Sequence, residues 1–347
     1  MRPTVHDIAD TAGVSLATVD RVLNDRPGVR GVTKAKVEAA IASLGYVRDV
    51  AAANLAKSRV YPLVFILPAG DNPFMRGLEA EVRRAGFHSA AERTRLSVVP
   101  VSAFDAAALV AAIDAAIAEQ VSGIAAVAVD APEVAAAIGR AQAAGIPFVT
   151  LVSDLANSGR DHFVGVDNVA AGRTAGSLMG RFLGNRPGPV AVLAGSMRVR
   201  DHRERLDGFL ATIADMPVGR AVLPVLEGQD DPGLSLSLVA GCLKSTPDLA
   251  GIYSLGAGNQ GLVAALADKT DVCVIAHELT AHTRAALETG IIDAVLNQDA
   301  GHEVRSAIRV LRAKADGLPV IAAQERIRLD IFIKDNLPAG PDEDDNN

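Results

Sequence analysis

Apolar residues follow two regimes along the chain. In the first 45 residues they recur at helical spacing: Val37, Ala40, Ile41 and Leu44 stand at i, i+3, i+4 and i+7, one face of an α-helix. Two shorter segments precede it. Thr4 stands ahead of Val5–Thr11 with Asp7 placed as in a capping box, and Gly13 then breaks the chain. Ser15 stands ahead of a second segment that runs through Leu23, which Asn24 can close. Thr33 is the expected cap of the third helix and Gly45 its C′ residue. The expected buried stripe is Val5, Ile8, Ala9, Ala12, Val14, Val19, Val22 and Leu23, packed on the third helix.

Residues 48–57 are helix-capable but too short for a stable isolated helix in water, so they are expected to fold only when something holds them. From Tyr61 onward, short apolar runs alternate with longer helical stretches. The expected strands are Leu63–Leu67, Leu96–Val101, Ile124–Val129, Phe148–Val152, Val190–Ala194, Ala221–Val225, Gly251–Ser254, Val272–Ala276 and Asp293–Leu296. Between them lie helices such as Phe74–Phe87, Ala106–Glu119, Val134–Ala144, Val169–Leu183 and Glu303–Lys314. Repeated βα alternation predicts doubly wound parallel sheets with helices on both faces. About nine strands suit two open sheets better than one closed barrel. The break near Ser158–Asp161 reads as the crossing between two lobes, and Pro341–Asn347 reads as a disordered acidic tail.

Composition narrows the function classes. A chain of 347 residues is long enough for two or three domains. The absence of Trp and the abundance of Ala favour helices packed on sheets through small residues over an all-β design. No apolar run reaches about 18 residues without a charge, Pro or Gly, so no membrane span is expected. Met1-Arg-Pro-Thr-Val-His-Asp7 shows no apolar core of a secretory signal, and a cytoplasmic protein is expected. Cys242 and Cys273 have no metal-ligand spacing and read as two reduced thiols, a single disulfide being the alternative. No metal and no cofactor is expected. The net charge of −7 argues against nucleic acid, but its distribution reverses that: residues 1–60 carry +3 and the remainder −10. A basic head on an acidic body is the pattern expected when only the head meets phosphate.

Gly13-Val14-Ser15 between two helices has the form of a helix-turn-helix corner, whose second helix enters the major groove. Leu16, Ala17 and Arg21 are then placed to meet base edges, and Arg21 can take guanine O6 and N7 together. Thr4, Ser15, Thr18 and Asn24 can hold phosphates, which positions without reading sequence. On spacing alone, a three-helix packing unit without a DNA role stays open.

The stretch Thr4-Val-His-Asp-Ile-Ala-Asp-Thr-Ala-Gly-Val-Ser-Leu-Ala-Thr-Val-Asp-Arg-Val-Leu-Asn24 resembles the head of the lac/galactose repressor family, and the likeness continues through Leu44-Gly-Tyr46. The family's hinge motif, Tyr-x-Pro-Asn-x-x-Ala-Arg-x-Leu, is matched here by Tyr46-Val-Arg48-Asp49-Val-Ala-Ala52-Ala53-Asn-Leu55. The resemblance implies paired hinge helices of a dimer in the minor groove, with Leu55 wedging a central base step, Ala52 close to the groove and Tyr46 near a phosphate. Asp20, Arg48 and Ala53 depart from the pattern, which puts one phosphate contact, the stiffness of the hinge and one basic contact in question.

The body resembles the periplasmic sugar-binding fold, in particular the ribose-binding group. That implies a two-lobed type I architecture with ligand in the cleft at the carboxyl ends of the strands. Polar residues recur just there. Asn72 and Phe74 follow the first strand, Asp154 the fourth, and Arg203-Glu204-Arg205 resembles that group's Arg-Glu-Arg segment. Asp231, Asn259, Glu278 and Gln298 follow later strands. Planar side chains of this kind suit adjacent hydroxyls of a sugar or polyol. The division that results is a helix-turn-helix DNA-binding domain over 1–47, a hinge helix over 48–59, an effector-binding and dimerisation domain over 60–340 and a tail over 341–347. Nothing forms a hydrolytic or redox constellation: Gly256–Gly258 lacks phosphate-cradle spacing, and the neighbours His277-Glu278 and Asp201-His202 cannot face each other as acid and base. The expected protein is a homodimeric or tetrameric repressor on a pseudo-palindromic operator. Its expected effector is a sugar or polyol, and it is not an enzyme. A corepressed purine-type regulator, a transcription activator and a periplasmic solute receptor stay open as rivals.

Overall fold

The computed structural model describes residues 3–46, 59–89, 93–215, 219–256, 258–267 and 271–339. The expected hinge segment through residue 58, with Arg48, Ala52, Ala53 and Leu55, and the tail 341–347 lie outside the described residues. The chain divides into two compact units, Met1–Arg59 and Val60–Asn347.

The first unit is three helices, α1 (Val5–Ala12), α2 (Leu16–Leu23) and α3 (Gly31–Leu44). Their ends are fixed locally. Thr4 and Asp7 form a reciprocal capping box, and Gly13 ends α1 at φ 62°. Ser15 accepts the Thr18 N–H at the start of α2, and Gly45 ends α3 at φ 58°. The third helix starts at Gly31, two residues before the expected Thr33 cap, with Arg30 ahead of it and no side-chain cap. Ile8, Ala9, Val19, Val22, Val37 and Ala40 form the buried core, with Ala12, Val14, Leu23, Ile41, Leu44 and Tyr46 packed at its edge. Val5, expected in the core, is exposed, because the first residue of a short capped helix projects beyond its neighbours.

The second unit holds two sheets. The first contains β1 (Tyr61–Ala69), β2 (Thr94–Ser102), β3 (Gly123–Ala126), β4 (Phe148–Leu151) and β5 (His162–Val164), all parallel, in the order β2-β1-β3-β4-β5. Helices α4 (Pro73–Ser89), α5 (Ala106–Ala118) and α6 (Pro132–Ala143) connect its strands. In the second sheet, β6 (Val190–Ala194), β7 (Leu226–Glu227), β8 (Gly251–Ser254), β9 (Cys273–His277) and β10 (Ala294–Gln298) run parallel, and β11 (Leu329–Phe332) is antiparallel to β10. Its order is β11-β10-β9-β8-β6-β7, with helices α7 (Asn168–Leu183), α8 (Arg200–Ala214), α9 (Pro232–Ser245), α10 (Asn259–Ala265), α11 (Ala281–Thr289) and α12 (Ala300–Ala315) in the sequence between them.

Both faces of the central strands are buried, so those strands read as continuous apolar runs. Leu63, Phe65 and Leu67 face one core while Val64 and Ile66 face the other, and Val190, Val192 and Ala194 are set against Ala191 and Leu193 in the same way. The chain passes between the lobes three times. It leaves the first sheet between β5 and α7 and returns when α12 packs Val304, Ala307 and Leu311 into the core beside Leu63 and Phe65. It then crosses again to β11.

Several sequence expectations are corrected here. The stretch Ser158–Asp161 is not the crossing; Asp161 exchanges hydrogen bonds with the Phe148 backbone and leads into β5 of the same sheet. Ala221–Val225 makes a single bridge, Val190 to Val222, and the paired strand falls on Leu226–Glu227. Pro224 explains the shift, since it has no N–H to give a ladder. Strands β5 and β11 escaped the sequence reading because both are short and lie at sheet edges, where polar residues such as His162 and Asp330 interrupt the apolar run.

Helices α7 and α8 approach through glycines. A Cβ at Gly172 would lie 1.9 Å from the Arg205 carbonyl oxygen, and one at Gly208 would lie 2.1 Å from the Val169 carbonyl oxygen. Gly172→Ala must therefore push the two backbones apart. It is expected to lower the unfolding free energy by about 1–3 kcal/mol in a denaturant titration. Gly139→Ala, on an exposed helix position with open space around it, should be neutral or stabilising by up to about 1 kcal/mol. Equal behaviour of the two variants would contradict the close packing.

Candidate functional site

Two surfaces carry candidate chemistry. In the first unit, Val19 and Val22 bury one side of α2, which turns Leu16, Ala17, Asp20 and Arg21 outward. Leu16 is exposed although it is large and apolar, as a residue meant for a thymine methyl would be. The polar groups expected to hold phosphates are engaged inside the unit. Thr4 Oγ1 donates to Asp7 at 2.8 Å, Ser15 Oγ lies 3.0 Å from Thr18 Oγ1, and the Asn24 amide donates to both the backbone and the carboxylate of Asp20. Asp20 also pairs with Arg26 at 3.2 Å, which offsets part of the negative charge that this position would bring to DNA. Tyr46 packs at the edge of the core. Ala52 and Leu55 lie outside the described residues.

In the second unit a cleft opens between the two lobes at the carboxyl ends of their strands. Residues just beyond several strand ends supply the wall. Asn72 and Phe74 follow β1, Phe104 and Asp105 follow β2, and Ser153 follows β4. From the second lobe come Asp201, His202 and Arg205 on α8, Asp230 after β7, Glu278 after β9 and Gln298 at the end of β10. Four of the wall residues, Phe104, Val152, Asp230 and Glu278, hold left-handed backbone conformations with φ between 58° and 69°. For a β-branched residue such as Val152 this is costly, and such strain concentrates where the fold holds a side chain for a purpose other than stability.

Arg205 organises the floor. Its Nε donates to Asn168 Oδ1 at 2.8 Å and its Nη1 to the Leu255 carbonyl at 2.6 Å, while Nη2 lies 3.6 Å from Glu278 Oε1. Gln298 Nε2 donates to the same Glu278 oxygen at 2.8 Å. Around the cleft, Ser153 Oγ, Asp201 Oδ1, Arg205 Nη2, Asp230 Oδ1, Glu278 Oε2 and Gln298 Oε1 are buried without a hydrogen-bond partner among the described residues. Buried polar atoms are nearly always satisfied, so six orphans on one cavity wall describe a binding surface. Burial pushes the Glu278 carboxyl up to about 7, against the pull of Arg205 and Gln298. Burial also raises Asp230, against its hydrogen bond from Asn72 at 3.1 Å. His277, beneath Glu278, is held neutral by burial and lies 2.8 Å from the Tyr253 hydroxyl, so it belongs to the core and not to the cleft.

Of the nine residues expected to bind effector, the cleft brings together Asn72, Phe74, Arg205, Glu278 and Gln298. Four are placed otherwise. Asp154 turns away and forms a short ion pair with Arg160, with Thr150 and the Leu155 N–H as further donors; its neighbour Ser153 faces the cleft instead. Arg203 pairs with Asp130 and donates to the Met197 carbonyl. Asp231 caps α9 through the Leu234 N–H, leaving Asp230 to face inward. Asn259 lines the adjoining mouth, but its side chain is tied to Ser254 Oγ and the His277 carbonyl. Asp201, His202, Asp230 and Ser153 were missed. Asp201 had a signal: it stands four residues before Arg205, on the same face of α8. The swaps at 153/154 and 230/231 had none, because a one-residue change in a loop reverses which side chain faces inward.

Residues 63–319 match the family model described as "Periplasmic binding protein domain", and residues 4–49 the model described as "Bacterial regulatory proteins, lacI family". The ribose operon repressor of Bacillus subtilis (strain 168) is 41% identical over 88 residues, 24% of this chain and 27% of that protein. The match thus spans about a quarter of the relative's length. Among solved structures, an ABC transporter solute binding protein from Burkholderia graminis C4D1M in complex with D-arabinose superposes with a TM-score of 0.72 at 25% identity, covering 80% of this chain and 96% of that one. GanP, a glucose-galactose binding protein from Geobacillus stearothermophilus, superposes with a TM-score of 0.72 at 20% identity, covering 81% and 100%.

The Glu278 environment gives a pH signature. A carboxyl raised from 4.5 to about 7 keeps its proton longer in the folded state. Its contribution is present below pH 4.5 and is lost as pH rises toward 7. Without ligand, stability should therefore fall across that window, and Glu278→Gln should remove about 3 kcal/mol of that fall in unfolding free energies from denaturant titrations at the two ends of the window. Parallel profiles for the two proteins would contradict the buried, raised carboxyl.

Proposed function

We propose, from the premise that the chain belongs to the periplasmic binding protein domain family and carries a head of the bacterial lacI regulatory family, that it is a DNA-binding transcription repressor governed by a small polyhydroxylated effector, a sugar or polyol. One observation carries the reading: the chain that presents Leu16, Ala17 and Arg21 on an exposed helix face also holds a cleft whose six unpartnered polar atoms await a ligand. The division of labour follows from the chemistry of each surface. Arg21 reads base edges, and the cleft supplies acceptors and donors to hydroxyls while Phe74 covers an apolar ring face. The sugar repressor and sugar-binding proteins that it resembles support the effector class.

The mechanism we propose is linkage. Ligand closes the two lobes on each other and changes the state of the segment 48–58, and thereby the affinity for a pseudo-palindromic operator bound by a homodimer. Operator and ligand must then alter each other's affinity by the same factor.

A thermal-shift screen of sugars, polyols and purines against the full chain tests the effector class, since a ligand selective for the folded state raises apparent stability. Sugars or polyols should raise the melting temperature; a shift by purines alone would overturn the reading. The DNA claim is tested by electrophoretic titration of Arg21→Ala. Specific operator binding should weaken by about 1–3 kcal/mol, with a small change in salt-dependent non-specific binding. Equal loss of both would contradict base reading by Arg21.

A further inference from the structure

The charge balance of the cleft is uneven. Its described wall carries four carboxyl groups, Asp105, Asp201, Asp230 and Glu278, and a single guanidinium, that of Arg205. That guanidinium is already committed to Asn168, the Leu255 carbonyl and Glu278. The arginines that might have balanced the rest are held elsewhere: Arg160 by Asp154, Arg203 by Asp130 and Arg200 by Glu204. Asp230 receives only the neutral Asn72 amide on one oxygen, and its other oxygen is unpartnered. Asp201 has one unpartnered oxygen, and its other lies 3.8 Å from His202 Nε2. Two carboxyl groups thus line the cleft, near enough for the charge of Asp201 to act on Asp230, and neither pairs with a lysine or arginine among the described residues.

We infer that the ligand is a polyhydroxylated molecule that also carries a positively charged amine, an amino sugar or amino polyol, with the ammonium group seated between Asp201 and Asp230. The inference rests on the effector reading given above and narrows it. An ammonium brings three donors and a positive charge to a place that offers acceptors and negative charge. The raised Asp230 carboxyl fits an acid without a lysine or arginine partner: burial, and more weakly the neighbouring Asp201, disfavour its ionised form against the pull of the Asn72 hydrogen bond and of His202. The rest of the cleft explains why a bare amine is not enough. Arg205 Nη2, ion-paired with Glu278 at 3.6 Å but without a hydrogen bond, and Ser153 Oγ can donate to ligand oxygens, and Phe74 with Val127 and Val152 offers an apolar wall for a ring face. The body's net charge of −10 also favours approach of a cation over an anion.

The test is calorimetric titration of the full chain at neutral pH with matched sets of pentoses and hexoses: the neutral sugar, its amino-deoxy analogue, the N-acetylated analogue and the corresponding sugar acid. The amino compound of the best-fitting sugar should bind about tenfold tighter than its neutral parent, with the gain lost on N-acetylation and the sugar acid weakest. Asp230→Asn should reduce the amine-to-neutral affinity ratio about tenfold, and Asp201→Asn should act in the same direction. Neutral sugars binding as tightly as their amino analogues would overturn this inference and leave the sugar reading standing. So would an unchanged ratio in both variants. Binding by purines with no response to any sugar, or no binding across the panel, would overturn both.

Discussion

The buried guanidinium of Arg205 is the interaction on which the second lobe and its cleft depend. A charged side chain 2% exposed is tolerable only if its donors and its charge are answered. Here the Asn168 amide oxygen, the Leu255 carbonyl and the Glu278 carboxylate answer it, drawn from the start of α7, the end of β8 and the end of β9. Arg205 thereby ties three separate strand and helix ends to one point. Because the fold places those ends at the cleft, the same tie sets the positions of Glu278 and, through it, Gln298.

That tie is reached only because α7 and α8 come close enough. Gly172 and Gly208 remove the side chains that would hold the two backbones apart, and Phe209 and Tyr253 stack at 4.6 Å just behind. The packing is dense at the rear and deliberately incomplete at the front. Glu278 keeps one oxygen and Arg205 one nitrogen without partners, and the backbone at Val152, Asp230 and Glu278 sits in conformations that cost energy. Under the proposed function, a ligand that supplies the missing hydrogen bonds would stabilise a closed arrangement of the lobes, and the site's incompleteness would be what couples binding to the lobes.

The first unit shows the complementary arrangement. Most of its short polar side chains are used to end helices or to hold one another, as in Thr4 with Asp7 and Asn24 with Asp20. What it leaves outward on α2 is two apolar residues, Leu16 and Ala17, and two charged ones, Asp20 and Arg21. If this face reads DNA as proposed, it would rely on shape and methyl contacts together with one bidentate donor, Arg21, while the Asp20–Arg26 pair softens the local negative charge.

The alternation of apolar strands with helices, and the capping residues Thr4, Ser15, Gly13 and Gly45, determined the α/β body, its doubly wound sheets and the three-helix head, because hydrophobic period and end chemistry are local properties. The polar residues just after the strands likewise marked the cleft and singled out Asn72, Phe74, Arg205, Glu278 and Gln298. What only the tertiary structure decided is which member of a neighbouring pair faces inward. Ser153 lines the cleft where Asp154 was expected, and Asp230 where Asp231 was. Such choices turn on a single loop dihedral and on a partner distant in sequence: Asp154 is claimed by Arg160, and Arg203 by Asp130. No periodicity encodes those pairings, so the identity of the groups that line the cleft, and the charge they leave unbalanced, emerged only when the two lobes were folded around it.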